Sequence, residues 1–183
     1  MENATKALLI AAGVLIGMLI LSLGVYLYYS IGVYVERAQE QIAIQELDKF
    51  NTQFYNYQAV ENEIFSFQDV ITAANLAYEN NKKYDFPVAK FNSNLILDNK
   101  DDLKNAISEG NDNYVQVVLN KCIIGNENSK TEKKSVNLEM YVGNEIALAK
   151  ILENNYNRQY KCNSVQTGKD SKRVYRLDFT RVE

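Results

Sequence analysis

The feature that most constrains this chain is a run of 29 residues, from Ala7 to Val35, without a single charged side chain. As an α-helix rising about 1.5 Å per residue, the run would be roughly 44 Å long, more than the ~30 Å hydrocarbon core of a bilayer. A core helix of a soluble protein is rarely this long without a polar face. The run therefore predicts a membrane-spanning helix and separates an apolar segment from a polar remainder.

A cleaved secretory signal and a lipoprotein anchor fit these residues less well. A signal peptide has a shorter apolar core that ends at a site of small residues. The nearest candidate, Ser22-Leu23-Gly24, is followed by further apolar residues and tyrosines, and the run has no cysteine to carry a lipid. Tyrosine rings favour the headgroup region, which places the span between Ala7 and about Tyr28. The tyrosines near this end are Tyr26, Tyr28, Tyr29 and Tyr34.

The charges beside the span give a slight indication of its orientation. Lys6 and the amino group lie with Glu2 on one side of the span, and Arg37 lies with Glu36 and Glu40 on the other. By the positive-inside rule this pattern favours a cytoplasmic N-terminus and an extracytoplasmic domain. The lipid bilayer is then the first partner that we expect.

The two cysteines, Cys122 and Cys162, have two interpretations. An even pair in a small extracellular domain suits a disulfide. Two separate buried thiols, which behave as small apolar side chains, suit the sequence equally well. Both interpretations stay open.

The polar remainder, residues 36–183, has the composition of one domain. Without Glu2 and Lys6, the totals of 23 acidic and 20 basic residues become 22 and 19, so there is no basic field for nucleic acid. One proline and no Gly/Ser-rich linker give no second boundary, and this length suffices for a core. Asparagine is abundant and histidine is absent, a bias that suggests an AT-rich genome rather than a function.

The helical pattern continues beyond the membrane as an amphipathic stalk. Apolar residues recur there at spacings of four and three, as on one face of a helix, and the charged residues lie off this face. The face either continues a contact between copies or packs on the protein's own domain. We predict three segments: a span with its N-tail (1–35), a stalk (36–58) and a domain (59–183). The stalk face consists of Ala43, Leu47, Phe50, Phe54 and Tyr57.

The domain is predicted to be α+β, with an antiparallel sheet and short helices. Ser66 and Asp69 form a capping box that starts a helix. The stretch from Tyr114 to Ile124 is apolar on both faces and predicts a central strand. The other predicted elements are a strand-like stretch from Phe86 to Leu97, a short helix from Asp98 to Gly110, a polar loop from Gly125 to Lys134, an alternating strand from Val136 to Val142, a helix capped by Asn144 and a hairpin from Tyr156 to Val182.

The chain offers little that resembles catalytic chemistry. Without histidine there is no Ser-His or Cys-His dyad and no imidazole ligand. Gly168-Lys169 is followed by Asp170 rather than Ser or Thr, so it predicts a hairpin turn and not a phosphate loop. The carboxylates that begin at Asp98 lack the spacing of a calcium loop and suit a helix cap. We expect no enzyme activity and no catalytic, cofactor-binding or metal-binding residue.

A short polar N-terminus, an apolar helix, its amphipathic continuation and an α+β domain together resemble a type IV pilin or pseudopilin. The residues Glu2 to Gly13 and Phe50 to Tyr57 also resemble an uncharacterised group of small single-span membrane proteins of Gram-positive, clostridia-like bacteria. Pilins typically carry an acidic residue early in the apolar helix, and this chain has none between Lys6 and Glu36. The resemblance is one of architecture, and we transfer no residue roles from it.

Two functions follow as expectations. The first is a pilin-like structural subunit or assembly factor, a homo-oligomer or filament whose copies contact through the N-terminal helix. Gly13 and Gly17 form a small-xxx-small pair that would let two helices approach closely. The second is a monomeric membrane-tethered binding or accessory module of a larger envelope complex.

Overall fold

A computed structural model describes residues 2–58, 63–86, 113–124 and 131–182 of the chain. The predicted α+β class is confirmed, since a long N-terminal helix precedes a small domain with a mixed five-stranded sheet and short helices. The helices of the described part are α1 (Glu2–Tyr55), α2 (Phe67–Lys83), α3 (Leu138–Val142) and α4 (Glu145–Asn155). Its strands are β1 (Ile64–Ser66), β2 (Gln116–Ile124), β3 (Thr131–Asn137), β4 (Gln159–Thr167) and β5 (Val174–Arg181).

The chain forms two compact units, Met1–Asp48 and Lys49–Glu183. The division falls inside α1 and inside the predicted stalk, so the last two turns of this helix belong with the domain. Within the described residues, α1 is the one helix long and apolar enough to cross a membrane. Its first unit is therefore a candidate single membrane span.

Two polar side chains of the first unit, those of Ser22 and Lys6, have partners within the helix. The Ser22 hydroxyl donates to the carbonyl oxygen of Leu19 at 2.9 Å, and the Lys6 ammonium lies 2.9 Å from the Glu2 carboxylate one turn away. A hydroxyl that bonds to its own helix backbone removes a polar group that lipid would penalise.

The sheet of the second unit has the strand order β1-β4-β5-β2-β3. Three of its four pairings are antiparallel, and the pairing of β2 with β5 is parallel. In that parallel pair Val117 lies opposite Leu177 and Leu119 opposite Phe179, and all four side chains are fully buried. The helices α2, α3 and α4 contact β2 and cover it, so the predicted central strand is at the centre of the core.

Several local predictions are confirmed. Ser66 caps α2, and its hydroxyl and the Asp69 carboxylate form both bonds of the capping box. The Asn144 side chain accepts from the amide of Ala147 at 3.0 Å and caps α4. β4 and β5 form the predicted C-terminal hairpin, with Gly168 in its turn.

Other predictions differ from the structure. The strand predicted from Val136 to Val142 ends at Asn137, because the following residues form α3 and bury four side chains in succession. The polar loop predicted up to Lys134 ends earlier, since β3 begins at Thr131. The short helix predicted for residues 98–110 and the strand-like stretch after Phe86 lie outside the described residues.

Buried asparagine amides pair with the backbone at both ends of β2. Before the strand, Asn81 accepts from the amide of Val115 at 2.8 Å and donates to its carbonyl oxygen at 2.9 Å. Near the other end, Asn155 accepts from the amide of Ile123 at 3.3 Å and donates to its carbonyl oxygen at 2.8 Å. Ile123 lies beyond the last pair of β2 and β5, so Asn155 takes the place of a neighbouring strand.

Replacing Asn155 with leucine is expected to destabilise the domain by about 3 kcal/mol or more. The side chain is fully buried, and its loss leaves backbone groups of Ile123 and the hydroxyl of Tyr160 without this partner, at about 1–3 kcal/mol per group. Denaturation of the full chain in detergent, followed by near-UV circular dichroism, measures the change. Asn157→Leu, at an exposed turn position, is the control. Equal stability of Asn155→Leu and the wild type would contradict the assignment.

Candidate functional site

The two glycines predicted to pack against another helix lie on an open surface. A Cβ atom built on Gly13 or Gly17 would meet no atom within 4 Å apart from the helix's own nearby backbone. The large apolar side chains around them are also exposed, for example Val14 at 54% and Met18 at 67%. This surface is available to lipid or to a second helix.

The far end of the predicted stalk face packs on the protein's own domain. Phe54 is fully buried, and its ring centroid lies 5.2 Å from that of Phe50. The Tyr57 ring lies 5.4 Å from Phe65 of β1 and 5.6 Å from Phe179 of β5. Phe54 is therefore a core residue of the second unit, and Phe50 and Tyr57 are partly buried and pack against that core. The two remaining residues of the face, Ala43 and Leu47, belong to the first unit.

Asn51 ties the end of α1 to the start of β5. Its amide donates to the carbonyl oxygen of Lys172 at 2.9 Å, and its oxygen accepts from the amide of Val174 at 2.9 Å. A side chain that bonds two backbone groups fixes the register between helix and strand as well as their contact. The sequence pattern gave no signal for this role, because Asn51 begins a polar run with Thr52 and Gln53 that is typical of an exposed helix surface.

Arg173 connects the same helix end with α2. Its guanidinium carbon lies 3.5 Å from the ring centroid of Phe50 and 5.5 Å from that of Tyr84. One terminal nitrogen donates to Asn80 at 2.7 Å, whereas the buried Nε has no hydrogen-bond partner in the described part of the chain. Burial lowers the pKa of Arg173, but the group stays charged, and the two rings stabilise the charge by cation–π contact.

The two cysteines are buried thiols in this structure and are not joined. Cys162 lies opposite Phe179 of β5, and Phe179 lies opposite Leu119 of β2, so one strand separates Cys162 from the strand of Cys122. Two strand spacings amount to about 9.5 Å, beyond the ~7 Å that a disulfide bridges between Cα atoms. The thiol interpretation fits this geometry, and burial raises the pKa of Cys162 to about 11.

The fully buried carboxylate of Glu139 lies in the first turn of α3, directly after β3 ends at Asn137. It accepts from the amide of Val117 at 2.8 Å, the hydroxyl of Tyr114 at 3.1 Å and the amide of Asn137 at 3.0 Å. Burial raises the pKa of Glu139 to about 7, and these hydrogen bonds oppose that rise. Burial and the adjacent carboxylate raise the pKa of Tyr114 as well. In the alternating strand predicted from Val136 to Val142, Glu139 would lie on the polar face. These residues form α3 instead, and the helical turn buries Glu139.

A polar network covers part of β4 and β5. Arg176 and Asp178 form a bidentate ion pair, with distances of 2.8–3.2 Å from the guanidinium nitrogens to the carboxylate oxygens. Ser164 donates to Asp178 at 3.1 Å, and Gln166 donates to it at 3.4 Å. The hydroxyl of Tyr175 donates to Gln166 at 2.8 Å. Each charge has an internal partner here, so the network explains local order without invoking a ligand.

The described residues contain no group of three His, Cys, Asp or Glu side chains that could hold a metal ion. Comparison of the chain with protein-family models, with curated proteins and with solved structures gives no match. The features that bear on function are therefore the apolar helix and the packing of its last two turns within the second unit.

The buried carboxylate gives the domain a pH-dependent stability. Because the pKa of Glu139 is about 7 in the fold and 4.5 in its unperturbed state, the fold binds this proton more tightly. The stabilisation is complete below about pH 4.5 and is lost as the pH rises through about 7. We expect the free energy of unfolding to fall by about 3 kcal/mol over this window.

Glu139→Gln is expected to remove most of this pH dependence, because the amide cannot ionise. At pH 8 the variant should be the more stable protein, and at pH 4.5 the two should differ little. Urea titrations at a series of pH values give the free energy of unfolding of both proteins. The other carboxylates contribute equally to both, so their contribution is absent from the difference. A wild-type protein whose difference from Glu139→Gln is constant from pH 4.5 to 8 would contradict the prediction.

Proposed function

We propose that this protein is a single-pass, non-enzymatic membrane protein with an extracytoplasmic domain, and that it acts as a pilin-like structural subunit or assembly factor. The observation that carries the proposal is the continuity of α1. One helix without a break contains both the uncharged run from Ala7 to Val35 and the buried Phe54 of the domain core. Such a helix combines the membrane anchor and part of the domain in a single element.

Self-association through the span supports the structural role. The surface around Gly13 and Gly17 is open, and in lipid close packing at small residues drives helix association. A slight charge bias supports a domain outside the membrane, since Lys6 and Glu2 precede the span whereas Arg37, Glu36 and Glu40 follow it. The absence of histidine from the chain favours a structural over a catalytic role.

A membrane-tethered binding or accessory module that acts as a monomer is the second candidate. The packing of Phe50, Phe54 and Tyr57 within the protein's own domain favours it, because these side chains are not available to another copy. Under this alternative the span only anchors the domain, and Gly13 and Gly17 do not contact a second helix.

Gly17→Leu is expected to weaken crosslinking between copies in membranes several-fold while the domain stays folded. A leucine at this position fills the surface that a second helix would approach. An amine-reactive crosslinker applied to membranes measures the association, and circular dichroism checks the domain. Ala12→Leu adds bulk on another face of the preceding helix turn and serves as the control.

The outcome separates the two candidates. Wild-type protein that runs as a monomer in mild detergent and gives no crosslinks in membranes would rule out the structural subunit and leave the tethered module. Equal losses in Gly17→Leu and Ala12→Leu would show that bulk anywhere on the helix disturbs the association.

A further inference from the structure

A second apolar face of α1 extends from the span into the polar stretch that follows it. In the span, glycines stand at positions 17 and 24, and Ile31 follows at the same spacing of seven. Beyond it come Val35, Ala38 and Ile42, at spacings of four, three and four. We call these six residues, Gly17, Gly24, Ile31, Val35, Ala38 and Ile42, the seam. A spacing of alternately three and four residues is the pattern of a helix that packs along another helix.

Between positions 36 and 44, beyond the run of uncharged residues, the seam residues are Ala38 and Ile42; the polar residues lie off the seam, as do the apolar Ala43 and Ile44. Glu36, Arg37 and Glu40 lie off the seam, and the residues that flank Ile42 and Ala38 include the neutral Gln39 and Gln41. Ile42 nevertheless exposes 56% of its surface and Val35 exposes 49%. Exposed β-branched residues in regular register, at and beyond the border of the charged stretch, form an apolar surface that a partner would cover.

The seam differs from the face that packs on the domain. Phe50 and Phe54 continue the heptad positions of Ala43 and Leu47, which fall between those of the seam. At about 100° per residue, the two patterns occupy helix faces roughly a third of a turn apart. Packing of the domain core therefore leaves the seam unused.

We propose that the seam binds the seam of a second copy of this chain, with the two helices parallel and in register. This deepens the proposed function and rests on it. Two copies inserted in one bilayer with the same orientation are parallel, and the bilayer holds identical residues at the same depth. The glycines at positions 17 and 24 permit close approach in lipid. In register, the uncharged Gln39 and Gln41 flank the contact, so no like charges meet across it.

The length of the seam suits a stable pair. Ile10 precedes Gly17 at the same spacing of seven residues. The contact from Ile10 to Ile42 is then 33 residues long. With four residues in every seven at a two-helix contact, each copy contributes about 19 residues. This is close to the lower end of the roughly 20–30 residues per partner in a standard interface.

Disulfide crosslinking between single added cysteines tests the seam directly. Ile42→Cys lies on the seam, and Ile44→Cys is its matched control, since Ile44 exposes 58% of its surface on another face of the same turn. The full-length variants are oxidised with copper–phenanthroline in membranes and run on non-reducing gels. The wild-type protein, whose Cys122 and Cys162 are buried, gives the background.

The seam predicts at least tenfold more disulfide-linked dimer from Ile42→Cys than from Ile44→Cys, and a similar excess for Ala38→Cys over Glu40→Cys. Equal yields, or more dimer from Ile44→Cys, would overturn the seam. If an amine-reactive reagent links wild-type copies in the same membranes while Ile42→Cys gives no dimer, self-association stands and the seam fails. If neither reaction links copies, the structural-subunit proposal fails as well.

Discussion

An apolar helix surface that water cannot solvate favourably is the constraint on which the rest of this structure depends. Among the described residues, 28 large apolar side chains are exposed, and 20 of them lie between Leu8 and Val35. Leaving one such side chain in water rather than burying it costs about 1.5–3 kcal/mol. Nothing in the described part of the second unit has a comparable surface, so the environment that suits this helix is lipid, another helix or both.

The domain meets the opposite constraint, since it has to bury polar groups in a small core. It does so with asparagine amides that pair with strand backbone: Asn81 and Asn155 on β2, and Asn51 on β5. A buried backbone group without a partner costs as much as a lost hydrogen bond, so these amides act as short replacements for missing strands. Asn51 performs this role from α1, and this makes the end of the long N-terminal helix an integral part of the domain core.

Whether a feature of the fold was predictable from the sequence depends on how far apart its interacting residues lie along the chain. Local signals were reliable: the capping box at Ser66, the cap at Asn144 and the C-terminal hairpin all depend on residues within a few positions of one another. The parallel pairing of β2 with β5 was not predicted, because strand order depends on contacts about 60 residues apart. The asparagines were attributed to genome composition, since nothing local distinguishes an amide that pairs with a distant backbone from one that faces water.

In the candidate site, too, contacts between residues distant along the chain were not predictable from the sequence. The helical spacing placed Phe50, Phe54 and Tyr57 on one face, whereas α1 ends at Tyr55, before Tyr57. The spacing did not determine whether these side chains meet another copy or the protein's own domain. Arg173 and Glu139 were missed because their partners lie on other elements. A buried charge is recognisable from sequence only when its partners are close along the chain.

The central claim is that α1 holds the domain at the outer face of a membrane, and protease treatment of intact, wall-stripped cells tests it most directly. We expect the domain to be digested while a fragment containing Ala7 to Val35 stays in the membrane pellet and a cytoplasmic marker protein remains intact. Recovery of the undigested chain, either protected within the cells or in the soluble fraction, would contradict the account.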